Sequence, residues 1–279
     1  MRFRFKQVDV FTHQPFQGNP VAVVFGADLL SEEEMQAIAA WMNLSETSFV
    51  QSSRRADYRL RIFTPKYEIP FAGHPTVGSA HALREANAKY GAKESLLQEC
   101  EAGLVPIRVD GHGEILVRVP TPKFLATKID PTSLRGALGD FHWADPAVID
   151  VGPKWMVARL ESCDALYDLP VDAQRLLALS KETDSIGVNV YTIDSRDRVH
   201  VRAFAPAAGV FEDPVCGSGN AAVGAHIRAS KLDVVVGREY VAHQGAALGR
   251  NGEVRVRLDG VDVFIGGSCV TAVDGQITF

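Results

Sequence analysis

Cysteine is scarce. Cys100, Cys163, Cys216 and Cys269 are the only four in 279 residues, and no two form a C-x-x-C pair. In a reducing compartment four such scattered cysteines are free thiols by default, so buried, inert thiols are expected. Paired ligands for a structural zinc are missing, HExxH is absent and the eight histidines are scattered, so no metal is expected. No run of about 18 uncharged apolar residues exists to cross a membrane. The opening MRFRFKQVDVFTHQPF has early positive charge but neither a long apolar core nor a small-residue cleavage site. It does not read as a signal peptide, and the expected compartment is the cytosol. Basic residues are outnumbered, 29 Lys and Arg against 34 Asp and Glu. A chain with net charge −5 lacks the basic surface a general nucleic-acid binder needs to displace counterions. The phosphate loop of nucleotide hydrolases and the GxSxG nucleophile elbow are also absent.

What is present is a repeat. One third of the way along stands RIFTPKYEIPFAGHPTVGSAHAL, and in the last third RAFAPAAGVFEDPVCGSGNAAVGAHI. Arg61-x-Phe63-x-Pro65 matches Arg202-x-Phe204-x-Pro206. Farther on, Pro75-x-x-Gly78-Ser79-x-x-Ala82 matches Pro214-x-x-Gly217-Ser218-x-x-Ala221, which sets His74 against Asp213 and Val77 against Cys216. Gly18-Asn19-Pro20-Val21 has a looser counterpart in Gly187-Val188-Asn189-Val190. A duplicated chain of this length makes two halves of about 140 residues.

Each copy reads as strand, loop and helix start. Tyr58–Phe63 and Val199–Phe204 alternate polar and apolar residues, as half-buried strands do. Pro75 and Pro214 suit a first helical turn, where a missing N–H costs nothing, and Asp213 is a good N-cap before it. Ser31 with Glu34 forms a capping box for a helix over 32–41. The segments 105–109 and 115–119 read as a hairpin around Asp110-Gly111-His112-Gly113, and Pro120-Thr121-Pro122 as a linker. Short strands are expected near 155–160, 186–193, 254–258 and 261–265. Helices are few and strands many, so the fold class is α+β.

Four features could carry chemistry. Two helix N-termini concentrate free N–H groups and partial positive charge, which bind anions. Glu46, in Asn43-Leu44-Ser45-Glu46-Thr47, sits where an apolar pattern begins; a carboxyl there has a raised pKa and can act as acid and base in turn. Read alone it is equally a solvated loop glutamate. His74 and Asp213 stand at the helix starts, as site residues or plain capping residues. Cys216, also at a helix start, is where a thiol pKa is expected to fall. Gly217-x-Gly219-x-x-Ala222 fits a dinucleotide fingerprint, but no strand ends at Gly217, and the match is read as accidental. Trp155 and Phe211 are either core residues or walls of a pocket.

Together VDVFTHQPFQGNPVAVV, NLSETSFV, RIFTPKYEIPFAGHPTVGSA and FEDPVCGSGNAAVGAHI resemble the phenazine-biosynthesis PhzF-like family, with weaker support from QGAALGR and FIGGSCV. The resemblance implies a fold like that of diaminopimelate epimerase: two similar halves, each a curved mixed sheet wrapped around a central helix, with the active site in the cleft between them. Its boundaries here would be 1–120 with a strand at about 267–279, and 121–266. It implies a homodimer, no cofactor and a cofactor-independent isomerase that shifts a proton between carbons of a small carboxylated substrate of the dihydro-hydroxyanthranilate type. Glu46 would move the proton, with His74, Asp213 and Ser218 assisting. Asn19, Gly73, Cys216, Gly217 and Gly219 would bind substrate, with backbone N–H groups of Gly73, Gly217 and Ser218 on its oxygens. Epimerase relatives use two cysteines, and here only Cys216 is present. A racemase pairing Cys216 with Glu46 or His74, and a non-catalytic ligand-binding protein, are the alternatives.

Overall fold

Alternation sets the strands. In Tyr58–Phe63 the apolar side chains Tyr58, Leu60 and Ile62 are buried and Arg59 is exposed. In the computed structural model, which describes residues 1–278, the chain divides into two units: Met1–Arg118 with the stretch from Gly266 on, and Val119–Ile265.

The first unit runs β1 (Arg2–Val10), β2 (Asn19–Phe25), α1 (Glu32–Met42), β3 (Thr47–Gln51), β4 (Tyr58–Phe63), β5 (Glu68–Ile69), α2 (Gly73–Ala86), α3 (Ala88–Gly91), β6 (Ser95–Cys100), β7 (Gly103–Val109) and β8 (Ile115–Arg118). Its strands are hydrogen-bonded in the order β8-β7-β6-β4-β3-β2-β1, and the strand Cys269–Thr278 closes the row against β1. Among these pairs β2–β3 and β4–β6 are parallel. The capping box of Ser31 and Glu34 opens α1. That helix lays Met35, Ile38 and Ala39 on a cluster with Phe5, Ala22, Val24, Phe49 and Phe63. Emptying one such fully buried aromatic costs about 3–5 kcal/mol. The opposite face of the sheet receives α2. Its Gly78 packs so closely that a Cβ there would stand 2.5 Å from Val21.

The second unit runs β9 (Lys123–Leu125), α4 (Pro131–Leu138), β10 (Ala144–Asp150), β11 (Lys154–Arg159), α5 (Cys163–Tyr167), α6 (Ala173–Glu182), β12 (Gly187–Ile193), β13 (Val199–Ala205), β14 (Val210–Asp213), α7 (Gly217–Ala229), α8 (Asp233–Val236), β15 (Glu239–Gln244), β16 (Gly252–Asp259) and β17 (Asp262–Gly267). Its order is β16-β15-β13-β12-β11-β10-β9, with β11–β12 and β13–β15 parallel. Helices α4 and α6 bury Leu134, Leu138, Leu176 and Leu179 against Met156, Val188, Val190 and Phe204. The other face carries α7, buried along nearly its whole length. Each unit is therefore a mixed sheet between covering helices and one buried helix, and the fold is α+β.

The register aligns the halves. Ala22, Thr47 and Phe63 lie side by side in the first unit, and Met156, Val188 and Phe204 do so in the second. Arg61 and Arg202 therefore correspond. Each pairs with a glutamate of the following short strand, Glu68 or Glu212, and lies over the ring of its own Phe63 or Phe204. Two of the sequence alignments need correction. The counterpart of Gly18-Asn19-Pro20 is Gly152-Pro153-Lys154, at the entry to β11, because β2 and β11 hold the same place in the strand order. The helices are also offset from the Pro75–Pro214 match. The cap of α2 is Ala72 and that of α7 is Cys216, so Pro214 and Asp213 lie outside the helix. Ala72 follows Phe63 by nine positions and Cys216 follows Phe204 by twelve. The longer second loop displaces a motif match that happens to contain proline in both copies. His74 thus stands opposite Ser218, and Ala72 opposite Cys216.

Candidate active site

Glu46 lies immediately before β3, where the strand pairing of Thr47 with Ala22 and Phe63 begins. Side chains of this strand alternate, and Glu46 falls on the face turned towards α2. Its side chain is 18% exposed, and Oε2 faces Nε2 of His74 at 3.5 Å. No hydrogen bond reaches Oε2 among the described residues. Burial dominates the carboxyl, pushing its pKa up to about 7, and a hydrogen bond from Ser45 opposes the shift. His74 is buried in the first turn of α2. Ala72 gives that helix no side-chain cap, and Gly73 opens its first turn, where N–H groups have no partner within the helix. Asn19, 2% exposed at the start of β2, accepts from the Ser45 hydroxyl at 3.5 Å. Glu46, His74, Gly73 and Asn19 thus belong to the first unit, with Ser45 linking Asn19 to Glu46.

Asp213, Cys216, Gly217, Ser218 and Gly219 belong to the second unit, around the start of α7. Cys216 Sγ accepts the Gly219 N–H at 3.3 Å, taking the capping role that Asp213 was expected to have. The Asp213 carboxylate accepts instead from Val215 N–H at 3.1 Å. Ser218 Oγ accepts from the indole N–H of Trp155 at 3.0 Å. Trp155 is 2% exposed and so both core and support, whereas Phe211 is half exposed with its ring edge against Phe204. The thiol expectation is overturned. Burial, and then the Asp213 charge, hold the Cys216 pKa well above the usual thiol range. Desolvation outweighs the helix N-terminus, and Cys216 is a neutral capping thiol.

Three residues packed against the starts of α2 and α7 were not singled out in the sequence. Gln244 Oε1 accepts from the Cys216 amide at 3.1 Å and from Asn220 Nδ2 at 2.7 Å, while its Nε2 donates to the Asp213 carbonyl at 2.8 Å. Gln98 plays a similar part under α2, donating to Thr76 Oγ1 at 3.1 Å. Asn189, fully buried on β12, fills the space that a side chain at Gly219 would need: a Cβ there would stand 2.1 Å from its Oδ1. A glutamine near the end of a strand and an asparagine within an apolar one were the available signals. Nothing in the spacing tied either to a helix start.

The comparisons with known proteins agree with this architecture. Residues 8–275 match the family model described as Phenazine biosynthesis-like protein, PhzC-PhzF. A Schizosaccharomyces pombe protein, Antisense-enhancing sequence 1, is 41% identical over 289 residues, covering 98% of this chain and 97% of its own. The trans-2,3-dihydro-3-hydroxyanthranilate isomerase of Pseudomonas aeruginosa is 34% identical over 279 residues, covering 97% and 94%. The solved structure of a PhzF-family phenazine biosynthesis protein from Bacillus anthracis superposes with a TM-score of 0.86 at 29% identity, covering 100% of both chains. The chain belongs to the PhzC-PhzF family. It is an enzyme of the isomerase class.

Proposed function

We propose that Glu46 is the acid–base residue of a 1,3 proton shift on a small carboxylated substrate of the dihydro-hydroxyanthranilate type. One observation carries the reading: a carboxyl whose pKa burial pushes up to about 7, with His74 3.5 Å away. At neutral pH such a group is populated both as base and as acid, the condition under which proton transfer contributes roughly 10²- to 10⁴-fold. Glu46 takes a proton from carbon. His74 and first-turn amides stabilise the charge that develops, each well-aimed donor contributing a few kcal/mol. Glu46 then returns the proton to another carbon. The second unit has Gly187 where the first has Glu46, so one base does both transfers, and the proton leaves and returns on one face of the substrate. The roles proposed for Asp213, Ser218 and the amides of Gly217 and Ser218 are to bind and polarise substrate oxygens. The relatives support the substrate class, and the family resemblance a homodimer acting in the cytosol.

The racemase reading needs an ionisable thiol, and the raised pKa of Cys216 speaks against one at neutral pH. The test of the main reading is solvent exchange. The protein is incubated in D₂O with trans-2,3-dihydro-3-hydroxyanthranilate and followed by NMR beside Glu46→Gln. Deuterium uptake and double-bond migration are expected in the wild type, with nearly all turnover lost in the variant. Retention of a tenth of the wild-type rate by Glu46→Gln sinks the assignment.

A further inference from the structure

The first unit's share of the site is polar: Glu46, His74, Asn19 and the opening of α2. A cyclic carboxylate also has carbon faces, and ligand sites cover most of such surface with apolar side chains. The loop between β1 and β2 carries one nearby. Phe16 is 74% exposed and stands three residues before Asn19, whose Oδ1 lies 3.5 Å from the hydroxyl of Ser45, the neighbour of Glu46. Three Cα steps of about 3.8 Å keep its Cα within about 11 Å of the Asn19 Cα. A phenyl side chain and a ring-sized substrate together span that gap.

Phe16 is also held where a phenylalanine is rarely found. Its φ is 68°, in the left-handed region. Among the described residues seven other than glycine have a positive φ, and five of these are Asn, Asp or Lys. The remaining two are Phe11 and Phe16. Phe11 is fully buried, so packing holds it there, whereas Phe16 has no such packing. The loop enforces the conformation. Thr12 Oγ1 accepts the Gln14 N–H at 3.0 Å, and the buried Asp9 takes the amides of Gln17 and Gly18 on Oδ2 at 2.9 and 3.1 Å. The two feet of the loop meet closely: a Cβ at Gly18 would stand 2.1 Å from the Val10 carbonyl oxygen. Backbone strain held without burial points to a functional position.

We propose that Phe16 is a specificity-determining residue whose ring covers the carbon face of a cyclic substrate held at Glu46. The proposal rests on the acid–base reading of Glu46, which says where the substrate sits. Binding removes the exposed ring of Phe16 and the substrate's apolar face from water together. With the loop backbone already fixed, little ordering remains to be done when substrate arrives. No bond forms or breaks at Phe16, and the proton passes only between the substrate and Glu46.

Stability and binding then respond in opposite directions, which separates this role from packing. Asparagine enters the left-handed region readily and has no ring. Phe16→Asn is therefore expected to leave the thermal unfolding midpoint unchanged or higher. The measurement beside it is steady-state kinetics with trans-2,3-dihydro-3-hydroxyanthranilate. Phe16→Asn should raise KM about tenfold and keep kcat within about threefold, the loss of one aromatic contact to the bound ring. Phe16→Trp, which keeps an aromatic ring, should return KM to within about threefold of wild type. Its added indole should also emit further to the blue when substrate is present. An unchanged KM in Phe16→Asn, or a KM that Phe16→Trp fails to restore, overturns the role of Phe16 and leaves Glu46 untouched. No turnover by the wild type, or turnover retained by Glu46→Gln, overturns the acid–base reading, and the proposal with it.

Discussion

Ala72 and Cys216 hold the same position, each the residue that caps the buried helix of its own unit. One cap is a methyl group and the other a neutral thiol whose sulfur accepts the Gly219 amide. Serine can accept the same bond, and no ionised thiol is lost. Cys216→Ser is therefore expected to keep kcat/KM within about threefold. Iodoacetamide at about pH 7.5 should leave Cys216 of the native protein unlabelled by mass spectrometry. A dead serine variant would return the thiol to the chemistry.

The raised pKa of Glu46 also affects stability. The folded protein favours the neutral acid, so the stability it contributes is complete below its unfolded pKa of 4.5 and is lost as pH rises through about 7. Glu46→Gln escapes that loss. Urea unfolding at pH 9 should find the variant about 2 kcal/mol more stable than wild type, with the two close together near pH 4. Equal stabilities at both values would mean that the carboxylate is well solvated.

The two arginine pairs differ in depth. Arg202 and Glu212 are 10% and 6% exposed, against 16% and 21% for Arg61 and Glu68, and Arg61 has Glu32 as a further partner. Glu212→Gln strands a buried guanidinium and should cost about 3 kcal/mol. Glu68→Gln leaves Arg61 still paired and should cost about 1 kcal/mol or less. Thermal unfolding of the two variants under one condition orders them.

Gly219 and Asn189 share one space. Gly219→Ala puts a Cβ against the Asn189 amide and is expected to destabilise by about 2–3 kcal/mol. Adding Asn189→Ala opens the space, so the double variant should be more stable than Gly219→Ala alone. Additive losses in the double-mutant cycle would mean that the two residues do not meet.

Much of this was legible where one residue carries one local rule. The Ser31–Glu34 box opened α1, the Asp110–Gly113 turn joined β7 to β8, and Arg-x-Phe marked the same strand in both units. Legibility failed where distance along the chain had to be inferred. A loop three residues longer in the second copy let Pro214 pose as a helical proline. It also paired Cys216 with Val77, because helix starts are fixed by caps and packing rather than by similar letters nearby. At the candidate site, Glu46 was marked out by the family resemblance, because a charge at the start of an apolar pattern fits a solvated loop as well. Gln244, Gln98, Asn189 and Ser45 were not, since a neutral polar residue acquires its meaning from what folds onto it. The pKa of Cys216 failed for a related reason: the sequence places it at a helix N-terminus but does not reveal how deeply it is buried.

The chain passes from the first unit to the second after Arg118 and returns at Gly266, so that Cys269–Thr278 pairs with β1. Strand β1 therefore meets this neighbour only after some 250 further residues have been made, and closing so long a loop is slow. Until then β1 has one open side on the ribosome, where other chains could pair with it. A ribosome stalled anywhere in the second unit would hold a first unit with a missing stave. The seam between the first and last strands is therefore where a chaperone's protection would count most, and where a truncated product would first betray itself by sticking.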